Sequence, residues 1–132
     1  MSTAAAPIPS PRRGDIFWAD LPEDESEGSE QHGRRPVLIV SVDAVHKNLP
    51  VCIIVPLSNQ LKKENRIFRI RILASYKTDE PGTGGCPGDS LALTEQVRMI
   101  SIKRLDPKRV CTVKPIALGA VESGIKYVLG IP

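Results

Sequence analysis

Two short apolar runs with a polar turn between them limit what this chain can become. Pro36 to Val42 and Val51 to Leu57 are dominated by Val, Ile and Leu. Each has the length of a strand and is shorter than a typical globular helix, and neither alternates apolar with polar residues. A strand that is apolar at nearly every position is covered on both faces, so both runs belong at the centre of a sheet. His46-Lys47-Asn48 with Pro50 forms the turn that joins them.

The flanking sequence extends the same pattern. Residues 1–11 mix Pro with small residues. They offer no ladder donors at the prolines and little to bury, so they form a disordered tail. Residues 12–132 form a single domain, as a chain of 132 residues suggests. Ile16-Phe17-Trp18-Ala19 is the first strand. Arg66 to Ile72 alternates, with Phe68, Ile70 and Ile72 on one face and Arg69 and Arg71 on the other. Ser90 to Glu95 and Val97 to Ile102 are further strands, and Val110 to Val113 is a short last one. Residues 21–33 and 75–89 are loops. The first carries Glu23, Asp24, Glu25, Glu27 and Glu30, and the second carries Pro81, Gly82, Gly84, Gly85, Pro87 and Gly88. From Pro115 the period changes: Ala117, Val121, Ile125 and Leu129 recur every four residues, one face of an amphipathic helix that ends at Gly130. Gly119 and Gly124 each weaken that helix by about 1 kcal/mol against Ala. The sum is about five to seven short strands and one C-terminal helix with no βαβ rhythm. That makes the fold mainly β, a small partly open barrel.

Charge and cysteine content narrow the chemistry. A net charge of +3 permits nucleic acid as a partner without demanding it. Aromatic residues make up 4% of the chain, which argues against RNA binding by a platform of stacked rings. Cys52, Cys86 and Cys111 are odd in number and form no CxxC, and His32 and His46 lie far from them. No zinc or other metal site is expected, and the simplest state is reduced thiols in a cytoplasm. Gly82-Thr83-Gly84-Gly85 is not followed by Lys-Ser/Thr, so it is no phosphate-binding P-loop, and no cofactor is expected. No apolar run approaches a membrane span and no secretory h-region is present, so a soluble protein with no membrane partner is expected.

The chemistry gathers at strand ends. Glu30-Gln31-His32-Gly33-Arg34-Arg35-Pro36 leads into the first apolar run. Arginines at a strand mouth have a fixed backbone and solvent-facing side chains, an arrangement suited to an anion. Val55-Pro56-Leu57-Ser58-Asn59-Gln60 and Thr94-Glu95-Gln96-Val97-Arg98 are two more polar strand ends. The three are expected to converge on one phosphate. Arg35 is permanently charged, forked and bidentate toward phosphate. Arg34 is the adjacent alternative, since strand alternation sends the two to opposite sides. The Ser58 hydroxyl can donate to a phosphate oxygen. Glu95 shares parity with Leu91 and Leu93, and partial burial would raise its pKa toward that of a useful base. Glu30, nearest the arginines, is either the base or the group that orients Arg35. His32 beside it reads as an exposed loop residue. The Arg69 and Arg71 face is either solvated or phosphate-binding. The acidic loop opposes RNA electrostatically unless it moves as a lid.

Four segments together resemble the MazF/PemK/Kid family of toxin ribonucleases. They are Arg13-Gly14-Asp15-Ile16-Phe17-Trp18-Ala19-Asp20-Leu21; Gly28-Ser29-Glu30-Gln31 with Gly33-Arg34-Arg35-Pro36-Val37-Leu38-Ile39-Val40-Ser41; Val55-Pro56-Leu57-Ser58; and Glu95-Gln96-Val97-Arg98-Met99-Ile100 with Arg104-Leu105. The likeness covers about residues 12–130 in family order. It implies an SH3-like barrel, a homodimer, and a cognate antitoxin that occupies the RNA groove. It also implies metal-independent cleavage of single-stranded mRNA, leaving a 2′,3′-cyclic phosphate and a 5′-hydroxyl. Arg35 stands at the family's catalytic arginine, Ser58 where the family usually has Thr, and Glu95 and Glu30 at acidic positions. Arg34, Gln60, Gln96, Arg98, Arg69 and Arg71 are the expected RNA contacts. One branch uses an arginine as proton donor at the position held here by Leu93. Two other classes stay open. A gyrase poison of the CcdB kind shares the fold by resemblance. A non-catalytic member that binds nucleic acid or protein is allowed by Ser58 and the acidic loop.

Overall fold

The computed structural model describes residues 9–21, 33–78 and 88–132. Within them the strands are β1 (Asp15–Leu21), β2 (Gly33–Ile39), β3 (Val51–Ser58), β4 (Arg69–Ile72), β5 (Lys77–Thr78), β6 (Ser90–Leu93), β7 (Arg98–Ser101) and β8 (Cys111–Val113). The helices are α1 (Asp43–Asn48) and α2 (Pro115–Leu129). The ladders are antiparallel and run β4-β6-β3-β2-β1-β8-β5, with β7 pairing with another part of β3. The path ends at β4 and β5, so the sheet coils without closing. This is the expected mainly β, partly open architecture with a C-terminal helix.

The continuous apolar runs feed two cores. Ile16, Leu38, Val55 and Leu57 pack with Ile72, Ala92, Val113, Ala117 and Val121 on one face. Phe17, Ala19, Val37, Ile39, Cys52 and Ile54 pack with Ile100, Ile102 and Leu105 on the other. Each fully buried Leu or Ile contributes roughly 1.5–3 kcal/mol of transfer free energy. A strand covered on one side only would collect half as many such residues.

β3 changes partner along its length. Val51 to Ile54 pair with β7, and Leu57 and Ser58 pair with β6. Pro56 lies in the gap between those ladders. The Ile53 carbonyl accepts from Val40 N at 3.0 Å. Strand alternation therefore turns the Pro56 nitrogen away from β2 and into the gap, where its missing N–H breaks no ladder bond. β3 also joins β2 only from Val37 onward, so Gly33–Pro36 pair with β1 alone. One edge of β2 is left open beside its two arginines.

The structure corrects several local expectations. His46-Lys47-Asn48 is the end of the six-residue helix α1 rather than a plain turn. The strand expected to reach Glu95 stops at Leu93, and Thr94–Gln96 is a 3₁₀ turn. Lys77 and Thr78, expected in a loop, form β5 against β8. Cys52 is buried and free, and burial pushes its thiol pKa up to about 11. Cys111, however, is disulfide-bonded rather than reduced. Most of the N-terminal tail, the acidic loop with Glu30 and His32, the Gly-rich stretch and Cys86 lie outside the described residues.

The helix face also differs. Ala117 and Val121 are buried as expected, but the third buried position is Gly124, and Leu129 is exposed. A Cβ on Gly124 would stand 2.9 Å from Thr94 Cγ2 and 3.2 Å from the Phe68 carbonyl oxygen. Thr94 is itself fully buried and donates its hydroxyl to that same carbonyl. Gly124 therefore lets α2 lie directly on the turn before β7; it is not a flaw in the helix. Nothing lies within 4 Å of a Cβ built on Gly119. Gly119→Ala is expected to stabilise the protein by up to about 1 kcal/mol, and Gly124→Ala to destabilise it by about 1–3 kcal/mol through overpacking. Thermal unfolding of the two variants checks this, and equal gains from both would refute the close approach at Gly124.

Candidate active site

The open edge of β2 forms one wall of a cavity of about 360 Å³. Ile16, Pro36, Leu57 and Val110 supply apolar lining, and Trp18, Arg34, Arg35, Ser58, Asn59, Lys77, Asp89 and Ser90 supply the polar groups and one aromatic ring. The start of β2 brings the arginines, the end of β3 brings Ser58 and Asn59, and β5 with the start of β6 brings Lys77 and Ser90. Two of the three strand ends expected to converge do so.

Arg34 and Arg35 both line this cavity, and Arg34 is held by a carboxylate. Its Nη1 and Nη2 donate to the two carboxylate oxygens of Asp106 at 2.8 and 2.5 Å. Its guanidinium lies 5.3 Å from the ring centroid of Trp18, within cation–π range. The hydrogen-bonded Asp106 carboxylate raises the Arg34 pKa, and Arg34 in turn holds the Asp106 carboxyl below its ordinary value. Arg34 acts as a clamp between β2 and the turn after Leu105. Arg35, on the opposite parity, is exposed at the cavity.

Ser58 is 7% exposed. Its Oγ accepts from Gln60 N at 3.1 Å, which orients the hydroxyl. The hydroxyl proton has no acceptor among the described residues and can be given to an anion.

The third strand end goes elsewhere. Arg69 donates to Glu95 Oε2 through Nε at 2.8 Å and Nη2 at 2.5 Å. Glu95 Oε1 is buried with no hydrogen-bond partner among the described residues. Glu95 does not line the cavity. Its partial burial agrees with strand parity, but β6 ends two residues earlier and the 3₁₀ turn carries it away from the cavity. Arg71 pairs with Glu64 at 3.0 Å and lies 3.8 Å from Asp89, so the Arg69 and Arg71 face is neutralised by carboxylates. The Gln60 side chain is exposed beyond β3, and Gln96 and Arg98 sit at the far end of β6 and on β7, outside the cavity lining. Trp18, Lys77, Asp89 and Ser90 were not singled out in the sequence. Lys77 and Asp89 flank a stretch legible only as a Gly-rich loop, and no local pattern shows that its two ends fold back on β2.

A small antiparallel β domain whose open sheet edge gathers arginine, lysine and a hydroxyl has the chemistry of a site for an anion. Comparison with known proteins sharpens this class. Residues 12–129 match the PemK-like, MazF-like toxins of type II toxin–antitoxin systems, and the chain belongs to that family. It is 36% identical over 98 residues to the endoribonuclease MazF of Staphylococcus saprophyticus, an alignment that covers 74% of this chain and 73% of that protein. By this homology it is an endoribonuclease. A MazF crystal structure from Deinococcus radiodurans superposes with a TM-score of 0.71 at 20% identity, covering 92% of this chain and 98% of that one. A mycobacterial endoribonuclease in complex with its cognate antitoxin superposes with a TM-score of 0.57 at 18% identity, covering 93% and 96% of the two chains. At these identities the two structures show the shared fold.

The Arg34 clamp has a defined pH window. Asp106 has a folded pKa below its ordinary 3.8, so its stabilising contribution is present above that value and is lost as pH falls through the lower folded pKa. Trp18 is the sole tryptophan and lies under Arg34. Its fluorescence is expected to stay constant from about pH 8 to 5 and to change below the ordinary carboxylate value. Asp106→Asn is expected to abolish that step. An identical transition in the variant would show that the clamp does not report on Trp18.

Proposed function

We propose that this toxin cuts single-stranded mRNA without a metal ion, by attack of a 2′-hydroxyl on the adjacent phosphorus. The O2′–P bond forms, the P–O5′ bond breaks, and the products carry a 2′,3′-cyclic phosphate and a 5′-hydroxyl. The observation that carries this reading is the meeting of Arg35 and Ser58 in one cavity from two different strands. In the transition state, negative charge builds on the non-bridging phosphate oxygens. A forked guanidinium and an oriented hydroxyl in a partly enclosed site stabilise that charge more than they stabilise the ground state. A cavity lined by arginine and lysine, with Asp89 as its one carboxylate among the described residues, favours a phosphate over a divalent cation.

The proton of the 2′-hydroxyl passes to a carboxylate, and the departing O5′ takes a proton from water to become the 5′-hydroxyl. Glu30 and Glu95 are the acids that the sequence motif supplies. Glu95 is engaged by Arg69, Glu30 lies outside the described residues, and Asp89 is the carboxylate lining the cavity. We assign RNA contact to the groups around the cavity and the rims of β3 and β7, and inhibition to a cognate antitoxin of the kind bound by the mycobacterial relative. We also assign the functional unit to a homodimer acting in the cytoplasm. Support for self-association comes from Ile53 and Met99, paired across β3 and β7 and both exposed, with exposed Val42 close by in the chain.

The test is cleavage of a long RNA in EDTA by wild-type, Arg35→Ala, Ser58→Ala and Ser58→Thr proteins. Wild type is expected to give discrete fragments with cyclic phosphate ends. Arg35→Ala should lose about 10²–10³-fold in rate with an unchanged melting temperature. Ser58→Ala should lose about 10–10²-fold, and Ser58→Thr should retain activity because the hydroxyl is kept. Wild-type rates from folded Arg35→Ala protein would sink the mechanism. Absence of cleavage by wild type, with inhibition in a gyrase supercoiling assay, would move the protein to the non-nuclease class.

A further inference from the structure

Lys77 belongs to no motif, yet it lines the same cavity as Arg35 and Ser58. Its backbone is fixed. Lys77 and Thr78 pair with Val113 and Thr112 of β8, Lys114 N donates to the Tyr76 carbonyl at 2.7 Å, and Thr78 Oγ1 donates to the Thr112 carbonyl at 2.9 Å. Its Nζ is fixed as well, donating to the Gly88 carbonyl at 3.0 Å and to Ser90 Oγ at 2.7 Å. An ammonium has three N–H donors. Two are taken by neutral oxygens, and one remains without a partner among the described residues.

Three further observations give that remaining donor a purpose. Lys77 is half-buried, and burial lowers its pKa, with Asp89 acting in the opposite direction. A partly desolvated cation favours an anionic partner. Asp89 shares the cavity but directs its carboxylate to Ala74 N at 2.9 Å and toward Arg71 at 3.8 Å. The charge of Arg34 is taken by Asp106. A second cation for a phosphate must therefore come from another strand, and Lys77 is the lysine that lines the cavity.

We infer that Lys77 is a substrate-contacting cation of this toxin, its third N–H taking a phosphate oxygen of the RNA beside Arg35 and Ser58. The inference rests on the ribonuclease reading above and adds to it a residue from a segment with no sequence signature. It is a binding role, held in place by Gly88 and Ser90, and requires no proton to leave the ammonium.

The experiment uses the full-length protein and an RNA oligomer spanning a mapped cut site, with a 2′-deoxy substitution at the attacked nucleotide to prevent cleavage. Affinity is measured against salt for wild type, Lys77→Gln and Lys77→Arg, and cleavage kinetics are measured on the unmodified oligomer. Lys77→Gln keeps a donor for the Gly88 carbonyl and removes the charge. It is expected to weaken binding about 10-fold at 0.1 M salt and to make the slope of log K against log salt shallower by about 0.7, the value for one phosphate contact on a single strand. KM should rise more than kcat falls. Lys77→Arg should restore the slope and, if Lys77→Gln fails to fold, Lys77→Met, which also removes the charge, is measured in its place. Wild-type affinity and slope in folded Lys77→Gln, with wild-type cleavage intact, would overturn this inference alone. A wild-type protein that neither binds nor cuts RNA would overturn the ribonuclease reading and this inference with it.

Discussion

β3 cannot hold two different neighbours along one edge at the same point, and much of this molecule follows from how it divides that edge. Its first half pairs with β7 and its last two residues with β6. On the other edge it leaves β2 before the arginines are reached. A proline inside a strand is tolerated only where a ladder bond is not needed, and Pro56 marks that place. On the β2 side the pairing stops at Pro56 opposite Val37, and that separate parting opens the β2 edge. The cavity is thus a by-product of sheet topology, and its apolar lining, Ile16 and Leu57, belongs to the core.

Charge is arranged around the cavity rather than spread over the surface. Arg13 donates to the Val40 carbonyl and to Glu122, tying the start of β1 to the end of β2 and to α2. Arg34, Arg69 and Arg71 each face a carboxylate. The two exposed pairs, Arg34–Asp106 and Arg71–Glu64, contribute only about 0–1 kcal/mol each, so their effect on stability is small. A net charge of +3 says little about where RNA goes. The local set of Arg35, Ser58 and Lys77 says more.

Much of the fold was legible because strand and helix periods are local properties. The two apolar runs read correctly as doubly covered strands, since every residue of such a strand must find a core. The C-terminal helix read correctly in extent, bounded by Pro115 and by Gly130 in a left-handed conformation with φ 70°. What failed was contact across the fold. Gly124 was read as a helix weakness because its partner, Thr94, is distant in sequence. Glu95 is partly buried as read, but its partner, Arg69, is distant in sequence and was not foreseen. The reduced state expected for Cys111 failed for the same reason, as a disulfide depends on proximity that spacing does not reveal.

The sequence by itself determined the kind of domain and one half of its chemistry. Apolar periodicity set a β architecture, and Gly-x-Arg-Pro followed by a strand set an arginine at an open end, because backbone propensity and side-chain type act over a few residues. Only the tertiary structure decided which charges meet. It took Arg34 to Asp106 and Glu95 to Arg69, and it carried Lys77 to Ser58 on a strand with no pattern of its own. Those encounters depend on long-range pairing between strands, whose register is fixed when two cores are filled at once.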